Sequence, residues 1–158
     1  MNLSNPLADD SVEVCQASYA TALRLLARRE HSELELRHKL KGRNFAGNIV
    51  DTVIMQLVDE GLLSDHRFAE VYIRGRFERG YGPLRIRAEL RERGVSGDSA
   101  EQLLAGLSRF WVESAGRQRS KRFGRQFPGD YRERARQMRF LQQRGFSSDQ
   151  IQAVFASP

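Results

Sequence analysis

The side chains that could perform chemistry in this sequence are few and scattered. His31, His38 and His66 do not have the spacing of metal ligands, and Cys15 is the only cysteine. Neither glycine-rich phosphate-binding pattern, G-x-x-x-x-G-K-[ST] or G-x-G-x-x-G, occurs. No nucleophile stands in an evident pattern with a base. The sequence therefore predicts no catalytic site, no metal site and no cofactor.

Basic side chains are the remaining candidates for a function. The chain has 158 residues and a formal net charge of +6. Residues 81–158 carry 15 Lys or Arg against 8 Asp or Glu, whereas residues 1–80 carry 11 against 12. An uneven basic charge of this kind indicates a polyanionic partner, either nucleic acid or a protein assembled on it. A single cysteine, with no apolar run of membrane-spanning length and no signal-peptide pattern, predicts a cytoplasmic protein without a membrane partner.

The strongest cationic candidates lie on two predicted helices, 109–127 and 131–144. In the first, an apolar stripe from Val112 to Phe127 is predicted to face inward, which places the cations on the opposite side at about 100° per residue. The second helix repeats this arrangement, with Tyr131 predicted to face inward. The candidates on the two helices are Arg117, Lys121, Arg125, Arg132, Arg136 and Arg139.

These two helices contain few acidic side chains that could neutralise the cations. Residues 109–144 hold 11 basic residues against 3 acidic ones, which favours a binding surface over an ordinary solvated helix face. A second basic patch lies on two earlier predicted helices. Several acidic side chains accompany it, so that a binding surface and a solvated face are equally compatible with the pattern. This patch consists of Arg24, Arg28, Arg29, Arg37, Lys39 and Lys41.

A repeat with a period of about fifty residues organises the chain. Three segments, beginning at Leu40, Leu90 and Leu141, share the order leucine, arginine, glycine or asparagine, then an apolar residue. Glycine and asparagine enter the left-handed conformation at low cost, so each segment is predicted to end a helix. The apolar residue is predicted to contact the leucine five positions earlier. Ser32 and Ser147, each with Glu or Gln three residues later, predict the starts of two helices.

These patterns predict an all-α fold of three tandem three-helix repeats, arranged as an elongated, curved chain of modules. The predicted domains are a flexible N-terminal tail over residues 1–11 and repeats over residues 12–60, 61–107 and 108–158. The predicted helices lie near residues 12–29, 33–43, 47–60, 65–79, 83–93, 97–107, 109–127, 131–144 and 148–156.

Several stretches of the sequence resemble the RecX family of bacterial regulatory proteins. They are ARREHSELELRHKL (27–40), LVDEGLLSDHRFAEVYIRGR (57–76), GYGPLRIRAELRERGV (80–95) and, with a weaker match, RFLQQRGFSSDQI (139–151). The likeness extends over residues 17–156. It implies a cytoplasmic, non-enzymatic modulator that binds the RecA filament on single-stranded DNA along its helical groove. It also implies inhibition of RecA ATP hydrolysis, of strand exchange and of the co-protease activity behind the SOS response.

Two other functions are compatible with the sequence. Three-helix units resemble helix-turn-helix modules, so a direct DNA-binding regulator is the alternative. It ranks lower because no predicted helix has Asn, Gln and Arg concentrated at one end, as a base-reading recognition helix would. A protein scaffold with no nucleic-acid partner is a third hypothesis. For the RecA regulator we expect a monomer with weak nonspecific DNA binding.

Overall fold

The computed structural model describes residues 6–156 of the backbone, with side chains from residue 10 onward. Within this range the chain forms nine α-helices and no strand, which confirms the all-α prediction. None of these helices combines the length and the apolar character that a membrane span requires. The helices are α1 (Pro6–Leu26), α2 (Glu33–Lys41), α3 (Gly47–Asp59), α4 (Asp65–Glu78), α5 (Pro83–Glu92), α6 (Asp98–Ala105), α7 (Trp111–Phe123), α8 (Tyr131–Gln143) and α9 (Ser148–Ala156), with a 3-10 turn at Ser108–Phe110.

The three helix ends predicted from the repeat have the expected geometry. The φ angles are 64° at Asn44, 76° at Gly94 and 95° at Gly145. In each case the following N–H donates to the carbonyl of the repeat leucine, at N···O distances of 3.4, 2.9 and 3.2 Å. These leucines are fully buried. Each left-handed residue therefore turns the chain back over the core of its own repeat.

Both serines predicted to begin helices form their cap hydrogen bonds, and Ser147 does so in a complete capping box. Ser32 Oγ accepts a hydrogen bond from the Glu35 N–H at 3.1 Å and so begins α2. Ser147 Oγ accepts from the Gln150 N–H at 3.3 Å, and Gln150 Oε1 accepts from the Ser147 N–H at 2.9 Å. Each bond satisfies an N–H group that the first turn of a helix leaves without a backbone partner.

The first helix starts earlier than predicted. It begins at Pro6, where a proline suits the first turn because that position needs no N–H donor. Residues 6–11, which we predicted to belong to a flexible tail, are therefore helical. Residues 1–5 of that predicted tail lie outside the described residues.

The chain divides into two compact units, Met1–Phe68 and Ala69–Pro158. In the first unit, α1, α2 and α3 enclose one apolar core, and Cys15 packs half-buried against it. The three repeat boundaries given above stay a prediction. The buried core residues of the first unit are Ala22, Leu25, Leu36, Leu40, Val50, Val53, Ile54, Leu57 and Leu63.

In the second unit, the turn that precedes α5 packs directly against the end of α8. The Gly82 N–H donates to the Arg144 carbonyl at 2.8 Å, and the Leu84 N–H donates to the Gly145 carbonyl at 3.0 Å. The Arg144 guanidinium donates back to two carbonyls of the same turn, at 2.6 and 2.8 Å. The second and third helix triplets are thus joined backbone to backbone.

Tyr81, in the same turn, lies at the centre of a cluster of arginines. The guanidinium carbons of Arg76, Arg85 and Arg144 lie 3.9, 4.5 and 4.7 Å from the centre of its ring. Glu89 accepts hydrogen bonds from Arg76 and Arg85. Burial alone would raise the pKa of Glu89, but these hydrogen bonds outweigh burial and lower it. The cations around Tyr81 are therefore held by internal contacts.

Candidate nucleic-acid and filament interface

Helix α7 buries a different face from the predicted one. Trp111, Ala115 and Arg119 are 3, 0 and 1% exposed, whereas Val112 and Phe127 are each 37% exposed. The prediction of an inward stripe from Val112 to Phe127 is therefore wrong by about one residue of helical rotation. Burying the larger indole ring of Trp111 removes more apolar surface from water than burying a valine would.

Arg119, which the sequence analysis missed, holds the segment that follows α7. Its guanidinium donates to the carbonyls of residues 124–126 at 2.9 to 3.2 Å and to Gln137 Oε1 at 3.1 Å. It also lies 4.0 Å from the ring centre of Phe127. Burial lowers the pKa of this guanidinium. A basic residue within a basic segment gives no signal of this structural role, because its acceptors are backbone carbonyls.

The loop around Arg119 changes the position of one predicted site residue. Helix α7 ends at Phe123, and Gly124 has φ 87°, so Arg125 lies in the loop and not on the helix. The prediction that Arg117, Lys121 and Arg125 form one helical row is therefore wrong. The helix ends early because Gly124 takes up a left-handed conformation at low cost, and Arg119 then caps the carbonyls released by the turn.

The remaining C-terminal candidates fall into paired and unpaired groups. Arg117 forms an ion pair with Glu113 at 2.5 Å, and Arg136 forms one with Glu133 at 2.9 Å. These exposed pairs neutralise two of the predicted cations, although each contributes little to stability. Of these candidates, the exposed ones with no ion-pair partner among the described residues are Lys121, Arg125, Arg132 and Arg139.

Helices α7 and α8, which carry most of these cations, pack against each other. The rings of Phe123 and Phe140 meet edge to face, with centroids 5.3 Å apart. Tyr131, predicted to face inward at the start of α8, is 86% exposed, so that prediction is wrong. The tyrosine occupies the first turn of the helix, and the described structure places it largely in solvent.

The candidate cations of the first unit also fall into a group with ion pairs and a group without them. Arg29 pairs with Glu35 at 2.9 Å, and Arg37 pairs with Asp51. Arg28 has no carboxylate partner among the described residues, and it lines a depression with other arginines. Lys39 and Lys41 likewise have no ion pair within the described part of the chain.

The histidines do not assemble a metal site with other ligands. Among the residues that the structure describes, no three His, Cys, Asp or Glu side chains lie close enough to share an ion. His31 is buried, and its Nδ1 lies 3.0 Å from the Arg29 carbonyl. Burial and the nearby Arg29 charge lower the pKa of this imidazole. His31 is a packing residue of the first unit.

These features define a class of protein: an all-α protein that is built from three-helix units and carries a surplus of exposed cations. Models of the first, second and third three-helix domains of RecX match residues 19–57, 64–104 and 112–155. The chain belongs to the RecX family of regulatory proteins. This result confirms the family resemblance and the prediction of three three-helix repeats.

Relatives in other bacteria agree with this assignment. A regulatory protein RecX from Halorhodospira halophila is 48% identical over 136 residues, which cover 86% of this chain and 84% of that protein. A regulatory protein RecX from Legionella pneumophila is 44% identical over 138 residues, which cover 87% of this chain and 92% of its own. These relatives carry the name of a regulatory protein and not that of an enzyme.

Solved structures show the same fold. The crystal structure of RecX from Lactobacillus salivarius superposes with a TM-score of 0.78 at 23% identity, covering 92% of this chain and 96% of that one. A second crystal structure, of a regulatory protein RecX, gives a TM-score of 0.87 at 23% identity, covering 99% of this chain and 80% of that one.

Proposed function

We propose that this chain is a cytoplasmic negative regulator of RecA. It binds the RecA filament on single-stranded DNA as a monomer, in the helical groove of the filament. There it inhibits ATP hydrolysis, strand exchange and the co-protease activity of the SOS response, and it catalyses no reaction itself. Membership of the RecX family supports this proposal, because the resemblance implies a RecA partner.

The structural observation that carries the proposal is the set of exposed cations without internal partners on α7, α8 and the intervening loop. Lys121, Arg125, Arg132 and Arg139 belong to this set. Unpaired cations bind phosphates or acidic protein surface without first breaking an internal ion pair. Because each phosphate contact releases counterions, we expect the binding to weaken as the salt concentration rises.

The proposal is tested by the ATPase activity of RecA on single-stranded DNA, with increasing amounts of this protein. We expect ATP hydrolysis to fall as the protein saturates the filament. Unchanged hydrolysis at saturation would refute the inhibitory role. The same preparation is tested for binding to duplex DNA alone: tight binding to one duplex sequence, without an effect on RecA, would favour the helix-turn-helix alternative.

A pair of double variants tests whether the unpaired cations matter. Lys121→Gln combined with Arg132→Gln removes two unpaired charges, and we expect inhibition to require at least about tenfold more protein. Arg67→Gln combined with Arg87→Gln removes two charges that are already paired with carboxylates. The control therefore has the same net charge. Equal inhibition by both variants would remove α7 and α8 from the proposed interface.

A further inference from the structure

The arginines of the first unit show a division that the sequence does not reveal. Six arginines lie in this unit. Three of them form ion pairs with carboxylates: Arg29 with Glu35, Arg37 with Asp51, and Arg67 with Glu30. The three that have no carboxylate partner among the described residues are Arg24, Arg28 and Arg43.

These three arginines line the same depression. Its volume is about 340 Å³, and its remaining lining residues are Thr21, Leu25 and Phe45. Arg24 lies in the last turn of α1, Arg28 lies in the turn that follows this helix, and Arg43 follows α2. All three side chains are exposed, and the Phe45 ring is half-buried. The depression thus combines three cationic donors with a hydroxyl group and an aromatic wall.

The arrangement is electrostatically unfavourable in the absence of a ligand. Three like charges line the depression, and none of its lining residues is a carboxylate that could offset their mutual repulsion. Arg24 donates to Thr21 Oγ1 at 3.0 Å, and Arg43 donates to the Lys39 carbonyl at 3.2 Å. Both contacts are neutral, so an anion in the depression would offset the repulsion.

The equivalent arginines in the other two repeats are in contact with tyrosine rings. Arg43 aligns with Arg93 and Arg144 in the fifty-residue repeat. The guanidinium carbon of Arg93 lies 4.7 Å from the ring centre of Tyr72, and that of Arg144 lies 4.7 Å from the ring centre of Tyr81. Fifty residues before Tyr72, the chain has an alanine. The ring that contacts Arg93 thus has no counterpart at the equivalent position of the first repeat, and Arg43 lines the depression instead.

From this geometry we infer that the depression binds a phosphate group of single-stranded nucleic acid, with a neighbouring base against Phe45. Guanidinium groups bind phosphate oxygens through paired, charge-assisted hydrogen bonds. The half-buried Phe45 ring lines the depression and supplies a stacking partner for a base, which an acidic peptide would not use. A volume of about 340 Å³ lies at the lower end of the range for small-ligand sites and suits one nucleotide. The assignment deepens the proposed function, but it is measurable without RecA.

The test is fluorescence anisotropy of a labelled oligothymidylate titrated with the whole 158-residue chain over a range of salt concentrations. We expect Arg24→Gln, Arg28→Gln and Arg43→Gln each to weaken binding about tenfold. Each should also reduce the slope of log affinity against log salt by about 0.7. Arg67→Gln makes the same change of charge outside the depression, and we expect it to alter affinity by less than about twofold.

Two further arms identify the ligand. Phe45→Leu keeps the apolar contact that follows the helix end but removes the ring, so we expect weaker binding of the oligonucleotide and unchanged binding of inorganic polyphosphate. Thymidine monophosphate should compete weakly, because it offers one nucleotide and no continuing strand.

Three results would overturn the assignment. The first is oligoglutamate of the same charge binding as tightly as the oligonucleotide, with no effect of Phe45→Leu, which would indicate an acidic protein segment. The second is tighter binding of the monophosphate than of the strand. The third is a lower unfolding temperature in the arginine variants with unchanged binding, which would restrict these side chains to capping helix ends. Because RecA is absent from this binding assay, a negative result here would refute the nucleotide site without deciding the ATPase test of the proposed function.

Discussion

Gly82 provides the sharpest test of how the second and third helix triplets are joined. Its φ angle is −87°, so its own backbone would accept any side chain. A Cβ atom at this position would lie 2.3 Å from the Gly145 carbonyl carbon and 2.4 Å from the Phe146 nitrogen. Both are backbone atoms, which move only if the two segments separate. We therefore expect Gly82→Ala to force the turn before α5 away from the end of α8.

The size of the effect follows from the contacts that would be lost. Two backbone hydrogen bonds, from Gly82 to Arg144 and from Leu84 to Gly145, stabilise by about 1 kcal/mol each. Overpacking adds about 1–3 kcal/mol. The expected loss is about 4 kcal/mol in the free energy of unfolding. At about 2–4 °C per kcal/mol for a chain of this length, the unfolding midpoint falls by about 8–16 °C.

Thermal unfolding followed by far-ultraviolet circular dichroism measures this shift. The matched controls are Gly75→Ala and Gly116→Ala, because a Cβ atom at either helical position meets no atom within 4 Å. We expect these controls to raise stability by about 0.5–1 kcal/mol, since alanine favours a helix over glycine. An unchanged midpoint in Gly82→Ala would show that the close backbone approach is absent in solution, and it would refute the steric argument.

Three further substitutions test other parts of the structure in the same assay. Asn44→Ala should lower stability by about 1 kcal/mol and Asn44→Gly should not, because φ is 64° there; equal midpoints would contradict this account. Arg119→Lys should lower stability by about 2–3 kcal/mol and speed proteolysis between α7 and α8, because lysine lacks the guanidinium fork; a wild-type cleavage rate would contradict the role of Arg119 in holding this loop. Burial and the nearby Arg29 charge lower the pKa of His31, so the unfolded chain takes up its proton more readily as the pH falls below about 6.5. Stability should then decrease with acidification through that range, and His31→Gln should lose less of it between pH 7.5 and 5.5 than the wild type does; identical losses would exclude His31 as the source.

Helix ends were predictable from the sequence because their determinants lie within a few residues. The left-handed position at Gly145 and its bond back to Leu141 depend on glycine and on an apolar residue five positions away. The exceptions are also local: a proline starts α1 earlier, and Gly124 ends α7 earlier. The rotation of α7 was mispredicted because two apolar stripes compete on one helix, and only packing decides which is buried.

The candidate interface was less predictable, because an arginine in a sequence does not reveal its partner. Arg37 meets a carboxylate 14 residues away, and Arg144 reaches a carbonyl 64 residues away. Arg43 entered the sequence analysis only as a position of the repeat, since its link with Arg24 and Arg28 depends on how α1 and α2 pack. The composition gives the number of positive charges, but it does not show which of them form internal contacts and which can bind a partner.

The sequence by itself determined that this chain is helical, that it repeats three times and that it belongs to the RecX family. These properties depend on local backbone preferences and on sequence patterns that can be recognised without knowing any distant contact. The tertiary structure alone decided which cations stay unpaired, which glycines must lack a side chain, and which face of α7 is buried. Each of those depends on groups that are far apart in sequence and meet only after the helices have packed.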